Sequence, residues 1–244
     1  MITRPPISSL FNSRTPPAVL FDVDDTLAPT GPHLSHEVYT WISREAGVSY
    51  EAAKEGIVAC FHQHGHVFWP IQHHFKLTDA HEPRMWTETT RAFHAKITTY
   101  MKPDLELNHL LRMLKARTAL MAAFTANYRE HGKHVVAACD MGDIFQARNI
   151  WGRACVDSIP KTKPESYALL KRRKLSHLPH GTQLVMVEDT AHNLPTAKAN
   201  GIVTVYVGTA PLDKRHAHGV DYVFEDTHAA VRGMLGEVPP SPSR

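Results

Sequence analysis

Val19-Leu20-Phe21-Asp22-Val23-Asp24-Asp25-Thr26-Leu27-Ala28-Pro29 is the stretch that decides how this chain is read. Val19, Leu20 and Phe21 form a short apolar run with β-branched and aromatic side chains. That is the pattern of a strand buried on both faces of a parallel sheet. Three acids follow within four positions, Asp22, Asp24 and Asp25, and Pro29 breaks any regular element. Carboxylates so close together repel one another, and a hard cation taking oxygen ligands offsets that repulsion. In open α/β sheets, ligands bind just beyond the carboxyl ends of strands, which is where these acids fall. Taken alone, the stretch also reads as an acidic turn after a strand.

The 244 residues allow one domain with a large core, or a core with a smaller insert. With 43% hydrophobic and 21% charged residues, the composition is that of an ordinary soluble globular protein. A net charge of only +3 implies no strong pull toward nucleic-acid polymers or membranes, and neither is expected as a partner. The 18 histidines would make the protein much more cationic near pH 6. Cys60, Cys139 and Cys155 are widely spaced and form no CxxC pair, which suggests reduced thiols and a cytoplasmic location. The N-terminal segment lacks the apolar stretch of a signal peptide, and no run approaches the ~18 apolar residues of a membrane helix. Residues 1–17, rich in proline, and 237–244, EVPPSPSR, read as a disordered leader and tail.

Between 30 and 103 the composition shifts to helix formers. Helices are expected over 35–47 with Ser35 as N-cap, over 49–60 with Ser49 as N-cap, and over 87–101. This insert carries His62, His64, His66, His73, His74 and His81. His62 and His66 share a helix face at a spacing that can bind zinc, but no acid or cysteine completes a set and Gly65 interrupts the helix. A helix over 105–116 leads into an apolar strand, 118–124. Thr125 ends that strand with a hydroxyl that can donate to a phosphoryl oxygen or cap the next helix. A helix over 128–138 and a mixed stretch over 144–156, with Trp151 in the core, follow. In Pro160-Lys161-Thr162-Lys163-Pro164-Glu165-Ser166-Tyr167, a lysine beside the acids would offset their charge and hold a phosphoryl group. A surface lysine at a helix start is the alternative. The strand 183–187 runs into Glu188-Asp189-Thr190, then Asn193, and Gly201 ends the next helix. Runs 202–207 and 222–224 supply two more strands.

Over about 19–235 the chain resembles the haloacid dehalogenase (HAD) superfamily. Asp22-Val23-Asp24-Asp25-Thr26 looks like its first motif, DxDxT, and Thr125 like its second. The third, KPxPExF, matches Pro164, Glu165 and Tyr167 when its lysine is laid on Lys161. Laid on Lys163 it keeps only Pro164, so Lys161 is favoured and Lys163 stays open. Val187 to Gly201 matches the fourth, VEDTxxNLxxAKxxG. The closest likeness is to the pyrimidine 5′-nucleotidase-like branch. Two positions depart from it: Ala126 stands where that branch often places Asn, and Asp25 where it often has Asn.

The resemblance implies an α/β fold, a doubly wound, Rossmann-like parallel sheet built from 18–29 and 104–236, with a helical cap over 30–103. It implies a Mg²⁺-dependent phosphate monoester hydrolase working through an aspartyl-phosphate. Asp22 would be the nucleophile and Asp24 the general acid and base, with Thr125 and Lys161 on the phosphoryl oxygens. Asp22, Asp24 through its main-chain carbonyl, and Asp189 would hold Mg²⁺, supported by Glu188, Asn193 and Asn127. The expected substrate is a nucleoside monophosphate or similar small phosphorylated metabolite. His64, His66, Phe68 and Trp69 of the cap are candidates to hold it, or else pack inside the cap. Members that dehalogenate lack the second Asp, so that chemistry is disfavoured. A phosphomutase, a sugar-phosphate phosphatase and a catalytically silent phosphate-binding scaffold stay open, as does a homodimer.

Overall fold

Short runs such as AVLF and LVMVE bury every side chain, so they need helices above and below and assemble as parallel strands. A computed structural model of the chain describes residues 5–64 and 68–237, leaving aside the side chains of 61–64 and 68–70. Six strands form one parallel sheet: β1 (Ala18–Phe21), β2 (Leu120–Phe124), β3 (Ile150–Trp151), β4 (Leu184–Glu188), β5 (Val203–Val207) and β6 (Tyr222–Phe224). Their order is β3-β2-β1-β4-β5-β6. The chain therefore builds from β1 outward to β3, then returns to lay β4 on the other side of β1. Leu20, Phe124, Tyr167, Met186 and Leu194 belong to one continuous core cluster of this sheet. This is the doubly wound α/β core with a helical insert that the sequence implies. No helix among the described residues is long and apolar enough to cross a membrane.

The chain divides into two compact units, Thr30–Tyr100 and the remainder. Helices Gly31–Ala46, Tyr50–His64, Phe68–His74, His81–Ala95 and Ile97–Tyr100 make up the first. It has a core of its own, including Trp41, Ile42, Ala53, Ile71 and Met85. The indole N–H of Trp41 donates to Glu88 Oε2 at 3.0 Å. Ser49 accepts from the Ala52 N–H at 3.2 Å, in keeping with its reading as a cap. Ser35 does not cap anything. The first helix begins four residues earlier, at Gly31, with Pro32 in a first turn whose N–H groups need no helical partner. The helix expected from Thr87 begins at His81 and stops at Ala95, before the separate turn Ile97–Tyr100.

Residues 5–17, expected as a loose leader, hold a helical turn, Ser8–Phe11. Ile7 and Phe11 lie four apart on one face and both are buried, which anchors the segment. The Tyr222 hydroxyl donates to the Pro5 carbonyl at 2.8 Å. The expected tail begins with Glu237, whose N–H donates to Arg232 O at 2.9 Å; residues 238–244 lie outside the described residues. The stretch 144–156 contains the edge strand β3, which its mixed composition does not announce.

Candidate active site

Sheet register brings the acids together. Phe21 pairs with Val187, so the next residues, Asp22 just past β1 and Glu188 at the end of β4, lie side by side. The Asp22 N–H still donates to Val187 O at 2.9 Å, and the Thr125 N–H, just past β2, to Trp151 O at 3.0 Å. These strand ends flank the point where the strand order reverses, the place open α/β sheets reserve for ligands.

Lys161 comes from the loop before helix Pro164–Leu170 and is buried, 4% exposed. Its ammonium donates to Asp22 Oδ1 and, at 2.9 Å, to Glu188 Oε2, and lies 5.0 Å from the centre of the Phe124 ring. Burial alone would lower its pKa, but the Asp22 and Glu188 carboxylates outweigh burial and hold it above the ordinary lysine value. Asp22 is raised well above the usual carboxylate range, first by burial and then by Glu188, against the pull of Lys161. Asp189 is pushed up to about 8, again by burial first, then by Glu188 and Asp25.

Asp22, Glu188 and Asp189 each offer an oxygen, all within 4.8 Å of one another. Three crowded carboxylates facing one ammonium make a hard, oxygen-only donor set in charge deficit, which fits a divalent cation such as Mg²⁺. Thr26 fixes Asp189: its hydroxyl donates to Oδ1 and accepts from the Asp189 N–H, both at 3.1 Å.

A pH dependence follows for the metal-free protein. Asp189 keeps its proton in the fold up to about pH 8, whereas the unfolded chain releases it near pH 4. A raised carboxylate stabilises the fold most below the unfolded value, and that stability is lost as pH rises through the folded one. A cation binds only the deprotonated groups, so Mg²⁺ is expected to raise the melting temperature more at pH 8 than at pH 6. Thermal melts with and without Mg²⁺ at both pH values measure this. An equal shift at the two would contradict the assignment.

Asp24 does not join the carboxylate cluster with its side chain. Asn127 Nδ2 donates to Asp24 Oδ2 at 2.7 Å, the Thr125 hydroxyl to the same oxygen at 3.3 Å, and His131 Nε2 lies 2.7 Å from Oδ1. Ala126 therefore does not keep Asn127 from the site. His131 is a residue that reading the sequence did not single out. Its available signal was its place in the first turn of the helix after Thr125. Asp25 is exposed and takes φ 58°, a left-handed conformation that Asp and Asn tolerate better than most residues. Lys163 is exposed, and Asn193 makes no side-chain hydrogen bond with any described residue. His66 lies outside the described residues, as do the side chains of His62, His64, Phe68 and Trp69.

Tyr167 packs at Lys161 with its hydroxyl buried and without a partner among the described residues. An unsatisfied buried hydroxyl costs about 1–3 kcal/mol. Tyr167→Phe is therefore expected to raise stability in urea unfolding by an amount on that scale. A loss of stability would mean that the hydroxyl has a partner in solution.

A family model described as "Hydrolase: haloacid dehalogenase-like hydrolase" matches residues 16–201. None of the curated proteins matches the sequence. Among solved structures, a HAD hydrolase of family IA, variant 3, from Entamoeba histolytica superposes with a TM-score of 0.67 at 14% identity. The match covers 88% of this chain and 98% of that one. A candidate phosphatase from Clostridium difficile gives 0.63 at 16% identity, over 91% and 100%. A β-phosphoglucomutase from the same organism gives 0.56 at 14%, over 86% and 91%. At these identities the likeness is one of fold.

Proposed function

The chain belongs to the haloacid dehalogenase-like hydrolase family, and from that premise we propose that it hydrolyses phosphate monoesters through a phosphoryl group carried on Asp22. The observation that supports this most directly is the buried Asp22–Lys161–Glu188 array with a second acid, Asp24, held by Thr125 and Asn127. In the first step an Asp22 carboxylate oxygen attacks phosphorus, the bond to the ester oxygen breaks, and Asp24 gives that oxygen its proton. In the second, water attacks the same phosphorus and yields a proton to Asp24, and Asp22 leaves as a carboxylate. Lys161 holds the phosphoryl oxygens, where the transferring group carries its charge, and the Thr125 hydroxyl would turn to them from Asp24 Oδ2, which Asn127 keeps. Glu188 orients Lys161. Mg²⁺, held by Asp22, Asp189 and the Asp24 main-chain carbonyl, would neutralise charge on the phosphoryl group.

We take the substrate to be a nucleoside monophosphate or a similar small phosphorylated metabolite. A phosphomutase is the second reading, supported by the fold likeness to a β-phosphoglucomutase. It would pass the phosphoryl group from Asp22 to another hydroxyl rather than to water. The test is a panel of phosphate monoesters with Mg²⁺, including nucleotides and sugar phosphates, read for both inorganic phosphate and isomerised product. Released phosphate supports hydrolysis. Isomerised sugar phosphate without it supports the mutase. Neither product from any ester would overturn both.

A further inference from the structure

His131 is almost fully buried, 1% exposed, in the first turn of helix Arg129–Ala138. Its Nε2 lies 2.7 Å from Asp24 Oδ1, while Asn127 Nδ2 and the Thr125 hydroxyl hold Oδ2. Both oxygens of Asp24 are thus fixed by one short segment, Thr125 to His131. Gly132 lets the helix come close enough. A Cβ there would meet Ile150 Cγ2 at 2.9 Å and lie 3.5 Å from Thr125 Cγ2, so a larger residue would lever the helix away from β2 and β3. Burying an imidazole is costly unless it is hydrogen-bonded. Packing alone would be served as well by an apolar side chain of similar size.

A group that delivers a proton must be aimed at the receiving oxygen, and a misplacement of about 1 Å can cost ~10²-fold in rate. The Asp24 side chain has two free torsions, and a hydrogen bond to one oxygen alone leaves the carboxylate able to pivot. The ring of His131 removes that pivot from the second oxygen. We propose that His131 is a positioning residue that holds Asp24 in the orientation from which it protonates the leaving group. The inference rests on the reading of Asp24 as the proton carrier, and it concerns the aim of the carboxylate rather than any charge on the imidazole.

The test uses the full-length protein with Mg²⁺ and a series of aryl phosphates, from p-nitrophenyl, whose leaving group departs unprotonated, to p-methoxyphenyl, which needs a proton. The quantity is kcat/KM, which ends at departure of the phenol and so excludes the later hydrolysis on Asp22. His131→Ala is expected to lose less than about 3-fold on the first substrate and ~10–100-fold on the last. His131→Gln, whose amide nitrogen reaches as far as Nε2, should recover most of that loss, and His131→Asn, which is too short, should not. If His131→Ala fails to fold, the contrast between the Gln and Asn variants carries the test. An equal loss across the series, or none, would overturn the inference and leave His131 a packing residue. Asp24→Asn is measured in parallel. A steep dependence there with a flat one in His131→Ala sinks the positioning role alone. A flat dependence in Asp24→Asn sinks the acid–base reading itself, and the inference with it.

Discussion

Asp22→Asn is expected to lower turnover by on the order of 10⁴-fold or more while leaving the fold intact, because in the proposed mechanism it removes the nucleophile and, with it, one carboxylate of the candidate cation set. The amide has the shape of the carboxylate but no charge with which to attack phosphorus. It keeps the place at the end of β1, where the residue 22 N–H bonds Val187 O. Lys161 keeps Glu188 as a partner at 2.9 Å, so the ammonium is not left uncompensated. The measurement is Mg²⁺-dependent phosphate release from p-nitrophenyl phosphate, with circular dichroism and a cooperative melt as the check on folding. Acid quenching of the wild type with labelled substrate should trap label on the protein, and the variant should trap none. Full activity in a folded Asp22→Asn protein would end the covalent mechanism.

The strands of this fold were readable because their apolar runs are buried on both faces and end at once in polar residues. Val19-Leu20-Phe21 before Asp22 and Leu184 to Val187 before Glu188 leave little else to infer. Sequence grouped Asp22, Asp24 and Asp25 as one acidic set, and the structure separates them. The left-handed turn at Asp25 leaves that side chain exposed, and Asp24 turns toward Asn127 and His131. Adjacent residues can diverge in this way because turn geometry and tertiary partners set side-chain direction, and neither is written in spacing. Asn127 and His131 were missed as partners of Asp24 for the same reason. They reach it only after β1 and β2 pair and Gly132 lets the helix settle. β3 was missed because two residues on an edge are too short for any period to show. The two lysines were two residues apart and equally plausible by charge. Geometry distinguishes them: Lys163 occupies the extended position before Pro164 at the helix start, where it points to solvent, and Lys161 is buried at the carboxylates.

Lys161→Met should therefore cost both turnover and stability, and the stability cost should grow with pH. The ammonium is the cation that Asp22 and Glu188 share inside the protein. Removing one member of a buried ion cluster leaves the others uncompensated, a loss of about 3–5 kcal/mol. Carboxylates can escape part of that penalty by taking up protons. Asp22 is already raised well above its ordinary value with Lys161 present, and without that ammonium it must rise further. A carboxylate raised in the fold contributes stability below its unfolded value, near pH 4, that is lost as pH climbs through the folded value. In the wild type, Lys161 is held above its ordinary value, so its own contribution is fully present from pH 6 to pH 8. The deficit of the variant relative to the wild type is thus expected to be smaller at pH 6 and larger at pH 8, by urea unfolding without Mg²⁺. Turnover should fall by on the order of 10²-fold or more, because in the proposed mechanism the same ammonium stabilises charge on the phosphoryl oxygens. Lys163→Ala, at an exposed position, should stay within about 0.5 kcal/mol of the wild type and keep its activity. A larger effect at Lys163 than at Lys161 would assign the wrong lysine to the site. A deficit independent of pH would mean that Lys161 stabilises the core by packing against Phe124 rather than by charge.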